Sequence, residues 1–283
     1  MRAFVVTVPR TDAELAADHL FHSLGVAAVE QRNGDVAGCV ELWTDVGIER
    51  RSIADAAASL RPEWAWRSVT VKQSVMTSWR RFAAPTWVTN EVVIVPSWLA
   101  DETETGTALA ISIDPGAAFG MGDHPTTQLT LRSMLEVIAV AAVPSVRVLD
   151  VGCGSGVLAI AAALAGCSSV VAIDISTAAV EATTVNAVTN GVAGRISASL
   201  TPLAEIDGTF DIVLANVLAP TLLAMAADLR RVLGLHGTLV VSGLRADRHC
   251  HVLAGLVPLV ALRSLDMDGW TAVTLRTSHA PPR

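Results

Sequence analysis

The chain has 283 residues, 52 % of them hydrophobic, and carries 20 basic against 27 acidic side chains for a net charge of −7. Such a composition excludes a disordered chain and a broad electrostatic footprint for nucleic acid, and the length accommodates one large domain or two smaller ones. The cysteines, Cys39, Cys153, Cys167 and Cys250, form no C-x-x-C pair, which reads as reduced thiols rather than a disulfide or zinc framework. The N-terminal stretch meets Pro9 and acids too early for a signal peptide. The apolar run from Val157 to Ile173 is broken by Gly166, Cys167 and two serines, so it reads as helix, turn and strand rather than a membrane span. The expectation is a soluble, cytoplasmic protein without membrane association and without direct nucleic-acid contact.

The first seventy residues carry a pattern of their own. Ala3 to Val8 is β-branched and strand-like, and Asp12 to Leu24 has helical spacing behind a plausible cap at Thr11 or Asp12. Strands at Ala28–Arg32 and Cys39–Trp43 flank the turn signal Asn33-Gly34-Asp35. A second helix is expected over Ile48–Leu60, stopped before Pro62, and a fourth strand over Arg67–Val71. The order βαββαβ is that of the ferredoxin-like motif. With no nucleophile, metal cluster or phosphate loop in it, this module over 1–73 suits substrate recognition or a packing role. Ser74 to Thr107 is rich in Trp and Pro, then acidic, and reads as a linker holding one strand at Glu91–Val95.

From Ala108 the pattern alternates. Strands are expected near 108–113, 146–151, 169–174, 195–199, 210–215, 237–242, 259–266 and 270–276, and helices near 125–141, 157–165, 177–190, 219–233 and 247–256. Alternation of this kind implies a mainly parallel sheet covered on both faces, so 108–283 is read as a Rossmann-like α/β domain. Ligands in such sheets bind outside the carboxyl ends of the strands at the switch point. That rule selects Asp150–Gly156, Asp174 and Ala215–Leu218.

Gly152, Gly154 and Gly156 form G-x-G-x-G with Val157 where a dinucleotide fingerprint needs a small residue later in the motif, and no Gly-Lys-Ser/Thr follows for a phosphate loop. Asp150, two residues before the first glycine, suits a cation better than a pyrophosphate. S-adenosylmethionine meets these conditions, with an ammonium, a sulfonium and no phosphate. The glycines let backbone approach the ligand, and Asp174, 22 residues after Gly152, is placed to accept from the ribose hydroxyls, as acids do in nucleotide folds generally. The pattern favours this cofactor over a nicotinamide or flavin and over a purely structural turn.

Two further blocks point the same way. "DPGAAFGMGDHPTTQLTL", Asp114 to Leu131, holds Pro125 at a helix start, yet its glycines, Asp123, His124, Thr126 and Thr127 exceed what a helix start needs, and it reads as a loop over a ligand. In "FDIVLANVLAPTLL" Asn216 ends a strand and offers a carboxamide to an amine, or merely satisfies its own turn. His19 with His22 and His249 with His251 lack the partners of a metal site, and no G-x-S-x-G element supports a serine hydrolase.

Together these blocks, with "VLDVGCGSGVLAIAAALAGCSSVVAIDIS", "NAVTNGV", "VVIVPSW" and "DGWTAVTLR", resemble the PrmA family, S-adenosylmethionine-dependent methyltransferases of the large-subunit ribosomal protein eleven. F-G-x-G-x-H-P-T-T combined with N-V-L-A is far more specific than the glycine turn alone. The resemblance implies a seven-stranded class I methyltransferase domain behind a ferredoxin-like recognition domain, N-methylation of lysine side chains or an N-terminal amine, and ribosomal protein eleven as partner. Cofactor contacts then fall on Thr127, Gly152, Gly154, Asp150, Asp174 and Asn216, and catalytic roles on Asn216 and His124, with no metal. Met121 and Asp123 depart from the family loop, where small or polar residues such as Thr are usual. Other readings are methylation of another protein lysine or a small amine, a non-catalytic S-adenosylmethionine-binding scaffold, and a dehydrogenase.

Overall fold

The computed structural model describes residues 2–24, 29–44, 57–70, 80, 83–116, 120–141 and 145–277. It divides into two compact units, Met1–Ala83 and Ala84–Arg283. In the first, the β-branched N-terminal run forms β1 (Arg2–Pro9), followed by a single 3-10 turn and α1 (Ala13–Leu24). β2 (Val29–Asn33) and β3 (Cys39–Thr44) pair across the Asn33–Gly34 turn, and β4 (Ala65–Thr70) completes an antiparallel sheet in the order β2-β3-β1-β4. That is the ferredoxin-like order expected. Of the helix expected over 48–60, residues 57–59 are helical and 48–56 lie outside the described residues.

Alternation along the strands sorts their side chains to two faces. Phe4, Val6 and Val8 of β1 and Val40 and Leu42 of β3 pack with Ala13, Ala16 and Leu20 of α1. On the other face the Glu41 carboxylate accepts from both terminal guanidinium nitrogens of Arg67, Nη1 and Nη2, at 2.9 Å and from Trp43 Nε1 at 3.0 Å. The Arg32 guanidinium lies 4.3 Å from the Trp43 ring centre, within cation–π range.

The second unit begins inside the stretch read as a linker. β5 (Thr86–Thr89), β6 (Val92–Pro96) and β7 (Leu109–Ile113) form a small three-stranded sheet, β5 and β6 antiparallel and β6 and β7 parallel. All five residues of β6 are buried, because this sheet covers the helix that follows the glycine turn: Val92, Ile94, Ile111 and Ile113 share one core with that helix.

The main sheet has seven strands: β8 (Arg147–Val151), β9 (Ser169–Ile173), β10 (Ile196–Ser199), β11 (Phe210–Asn216), β12 (Leu233–Arg245), β13 (Leu259–Met267) and β14 (Trp270–Thr277). Their order is β10-β9-β8-β11-β12-β14-β13, parallel from β10 to β12 with β14 antiparallel to both its neighbours. This is the seven-stranded Rossmann-like sheet anticipated. The helices are α2 (Pro125–Val140), α3 (Val157–Leu164), α4 (Thr177–Thr189), α5 (Ala219–Ala224), α6 (Ala226–Arg231) and α7 (Cys250–Gly255). The single helix expected over 219–233 is broken at Met225, whose backbone leaves helical geometry at φ −91° and ψ 0°, and β12 is much longer than the 237–242 expected.

Successive residues of the central strands enter opposite cores. Val148, Ile212 and Leu214 face the α3 side, whereas Leu149, Val151, Val213 and Ala215 face the side covered by Leu222 and Leu229. Burial on both faces is why these strands read as continuous apolar runs. Helix α3 is buried over Val157–Ala163, as befits a helix apolar all round. No helix among the described residues is long and apolar enough to cross a membrane.

Strand order reverses between β8 and β11, and the ends of β11 and β12 meet there: Asn216 pairs with Ser242. The next residue, Gly243, has φ +81°, and a Cβ on it would overlap the Val217 carbonyl oxygen. Backbone against backbone leaves no side chain free to yield. Gly243→Ala is therefore expected to lower stability by about 3 kcal/mol, read as a fall in the denaturant midpoint at unchanged slope.

Candidate functional site

The reversal opens a cleft of about 310 Å³, including its solvent-open mouth, lined by Gly120, Thr127, Gly152, Cys153, Gly154, Ser155, Val157, Leu158 and Asn216. Its floor is the turn after β8. Gly152, Gly154 and Gly156 all have positive φ, at +76°, +55° and +83°. At Gly152 a Cβ would stand 2.6 Å from Val217 Cγ1, so the backbone itself forms the surface there. The amides of Gly152 and Cys153 both donate to the Ile173 carbonyl at the end of β9.

Asp174 follows directly. Its Oδ2 accepts from the Gly154 amide at 3.0 Å and its Oδ1 from the Ser176 amide at 2.9 Å. One carboxylate thus ties the glycine turn to the start of α4, and each oxygen keeps a further lone pair. From the other side, Asn216 Nδ2 donates to Thr127 Oγ1 at 3.4 Å, joining the end of β11 to the first turn of α2.

His124 lies beside the cleft and is not among its lining residues. It caps α2, its Nδ1 receiving the Thr126 amide at 3.3 Å and standing 2.8 Å from Thr126 Oγ1. Burial lowers its pKa, Asp123 opposing the shift. A neutral ring with Nδ1 accepting carries its proton on Nε2, and the ring meets Trp270 edge-on at 5.0 Å. Asp123 is exposed, and its carbonyl accepts from Gln128 Nε2 at 2.9 Å. Phe119 lies outside the described residues.

Asp150 stands elsewhere than the sequence suggests. Expected at the ligand, it is fully buried under the turn and does not line the cleft. Its Oδ2 accepts from the Ala159 amide at 3.2 Å, while Oδ1 has no hydrogen-bond partner among the described residues. The reason is strand parity: Asp150 is two residues after Val148 and points into the same α3-side core.

Of the sequence-selected residues, Thr127, Gly152, Gly154 and Asn216 therefore meet at the cleft, Asp174 braces it, and Asp150 and His124 flank it. Sequence reasoning missed the contributions of Ser155 and Asn186. Asn186 lies in the last turn of α4 and Asn190 caps its C-terminal end four residues on, the spacing that puts two side chains on one face, inside a block whose spacing alone names no chemistry. Among the described residues no group of His, Cys, Asp and Glu is arranged to hold a metal ion.

Burial pushes the Asp150 carboxyl up from 3.8 to about 7, the Ala159 amide opposing the shift and Asp174 adding to it. A carboxyl whose pKa is raised on folding contributes stability that is full below its unfolded value and lost as pH rises through the folded one. The ligand-free protein should thus lose on the order of 4 kcal/mol between about pH 4 and pH 7 through this group, at 1.36 kcal/mol per unit. Asp150→Asn, neutral throughout, is expected to flatten that part of the stability–pH curve, as followed by urea unfolding across the range.

The family model for PrmA, ribosomal protein L11 methyltransferase, matches residues 30–278. A ribosomal protein L11 methyltransferase of Geobacter metallireducens is 44 % identical over 181 residues, 64 % of this chain and 58 % of that protein. The Enterococcus faecalis protein of the same name is 34 % identical over 239 residues, 83 % of this chain and 70 % of its own. The crystal structure of a ribosomal protein L11 methylase from Lactobacillus delbrueckii subsp. bulgaricus superposes with a TM-score of 0.63 at 33 % identity, covering 70 % of this chain and all of that one. The chain spans 58 to 66 % of the length of the first Geobacter and Geotalea relatives it matches. With the glycine turn, the Asn216–Thr127 contact and a match over most of its length, this chain belongs to the PrmA family.

Proposed function

We propose that this chain is an S-adenosylmethionine-dependent protein N-methyltransferase acting in the cytoplasm on amino groups of ribosomal protein L11. The observation that carries the reading is that the glycine turn, Thr127 and Asn216 line one cleft, with Asp174 bonded to that turn, within a PrmA match. The donor set suits a ligand without phosphate. No lysine stands in the turn, two carboxylates lie at or under it, and the surface at Gly152 is bare backbone.

When bound, S-adenosylmethionine supplies an electrophilic methyl group on a sulfonium. The residues of this chain bind and orient. Asp174, its oxygens already fixed by two amides, accepts the ribose hydroxyls. Gly152 and Gly154 bring backbone close to the ligand, and Thr127 holds Asn216. Asn216 presents its carboxamide oxygen to the acceptor amine and keeps the nitrogen lone pair aimed into the cleft. His124, neutral and with Nε2 carrying the proton, borders the acceptor side. A lysine amine with pKa about 10.4 is neutral in roughly one molecule in a thousand near pH 7.4, a cost of about 4 kcal/mol. Apolar enclosure lowers that pKa and orientation contributes further, so a dedicated general base is not required.

The protein is to be incubated with methyl-labelled S-adenosylmethionine and unmethylated ribosomal proteins, the label being mapped by mass spectrometry. Label on L11, at lysine or the N-terminal amine, is expected. Cofactor binding with label on another protein or on none would overturn the substrate, and absence of cofactor binding the whole reading. Asn216→Ala should lower turnover about 100-fold at near-parental melting temperature. Asp174→Ala should weaken S-adenosylhomocysteine binding roughly 100-fold by calorimetry, through loss of two charge-assisted hydrogen bonds. Unchanged affinity would remove the ribose from Asp174.

A further inference from the structure

Ser155, the residue between the second and third glycines, is 1 % exposed and bonds in two directions. Its hydroxyl donates to the Gly120 carbonyl at 2.6 Å, and its own carbonyl accepts from Asn186 Nδ2 at 2.9 Å. Asn186, also 1 % exposed, uses the other hydrogen of Nδ2 on the Asp114 carbonyl at 2.9 Å, and its Oδ1 receives the Asp114 amide at 3.0 Å. Two carbonyls on one side and an amide on the other leave a carboxamide a single satisfied orientation, which a carboxylate cannot reproduce. One turn on, Asn190 makes similar contacts with Ser112, accepting its amide at 2.9 Å and donating to its carbonyl at 2.7 Å, but none with the glycine turn.

We propose that Ser155 is a positioning residue of the cleft, holding Gly120 to the glycine turn through its hydroxyl and Asp114 through Asn186. Gly120 lines the cleft together with Gly152 and Gly154, and the backbone beyond it leads to His124 and Thr127. The hydroxyl of Ser155 thereby sets the distance between the turn and the segment that carries Thr127 and, through it, Asn216. Ser155 itself lines the cleft, but its hydroxyl proton is committed to the Gly120 carbonyl, so its effect on binding runs through these partners, and the proposal rests on the reading of the cleft as the methyl-donor site.

The test compares Ser155→Ala, which removes only the hydroxyl, with Asn190→Ala, by amide hydrogen exchange on the ligand-free proteins and by S-adenosylhomocysteine titration. Ser155→Ala is expected to accelerate exchange across Gly120–Gly122 and to weaken binding about tenfold, the loss of one neutral hydrogen bond, at a near-parental melting temperature. Asn190→Ala is expected to lower the melting temperature while leaving exchange at Gly120–Gly122 and affinity as in the parent. Unchanged exchange in Ser155→Ala would overturn the proposal. Parental affinity despite faster exchange, or the same response from Asn190→Ala, would overturn it as well. If the parent binds no S-adenosylhomocysteine while Ser155→Ala still releases Gly120–Gly122, the tether stands and the methyl-donor reading falls.

Discussion

Everything at this site depends on the Asp174 carboxylate accepting two backbone amides at once. Gly154 donates from the turn after β8 and Ser176 from the start of α4, so two loops leaving adjacent parallel strands are locked in register by one side chain. The Ile173 carbonyl adds to the lock by receiving the amides of Gly152 and Cys153. A turn with three positive φ angles is costly for any other residue type and loses much entropy on ordering. Hydrogen bonds to a charged acceptor are the stronger kind, and they offset that cost where the backbone must stay bare.

The sheet beneath supplies rigidity. Because β8 and β11 are buried on both faces, neither strand can slip by one residue without sending its side chains into the wrong core. The three-stranded β5-β6-β7 sheet adds Ile94, Ile111 and Ile113 to the α3-side core, so the helix that begins at the glycine turn is enclosed rather than merely resting on the main sheet. Asp150 is the exception within this apolar surround. Its buried carboxyl holds the Ala159 amide in the first turn of α3, and the desolvation that raises its pKa lets the group become neutral near pH 7.

The first unit is organised by a different balance. Its apolar face is built from β1, β3 and α1, while the opposite face carries Glu41, Arg67, Trp43 and Arg32 in one contact network. The two-pronged Arg67–Glu41 pair is the geometry in which an ion pair contributes most for its exposure. It leaves a sheet surface of aromatic and guanidinium groups, unlike the backbone-lined cleft of the second unit.

The sequence by itself determined most of the strands and helices of the second unit, because doubly buried strands must be apolar runs and amphipathic helices must repeat with their own period. It also determined the glycine turn, the acid at the end of β9 and the Asn at the end of β11, since residue type and strand-end position are both local properties. The tertiary structure alone decided what those residues touch. Strand parity took Asp150 into the core, long-range packing added β5 to a stretch read as a linker with a single strand, and an i, i+4 pair of asparagines became a clamp only when β7 came to lie beside α4. Hydrogen bonds between residues 35 to 89 positions apart, such as Ser155 with Gly120 and Asn216 with Thr127, leave no local periodicity by which a sequence declares them.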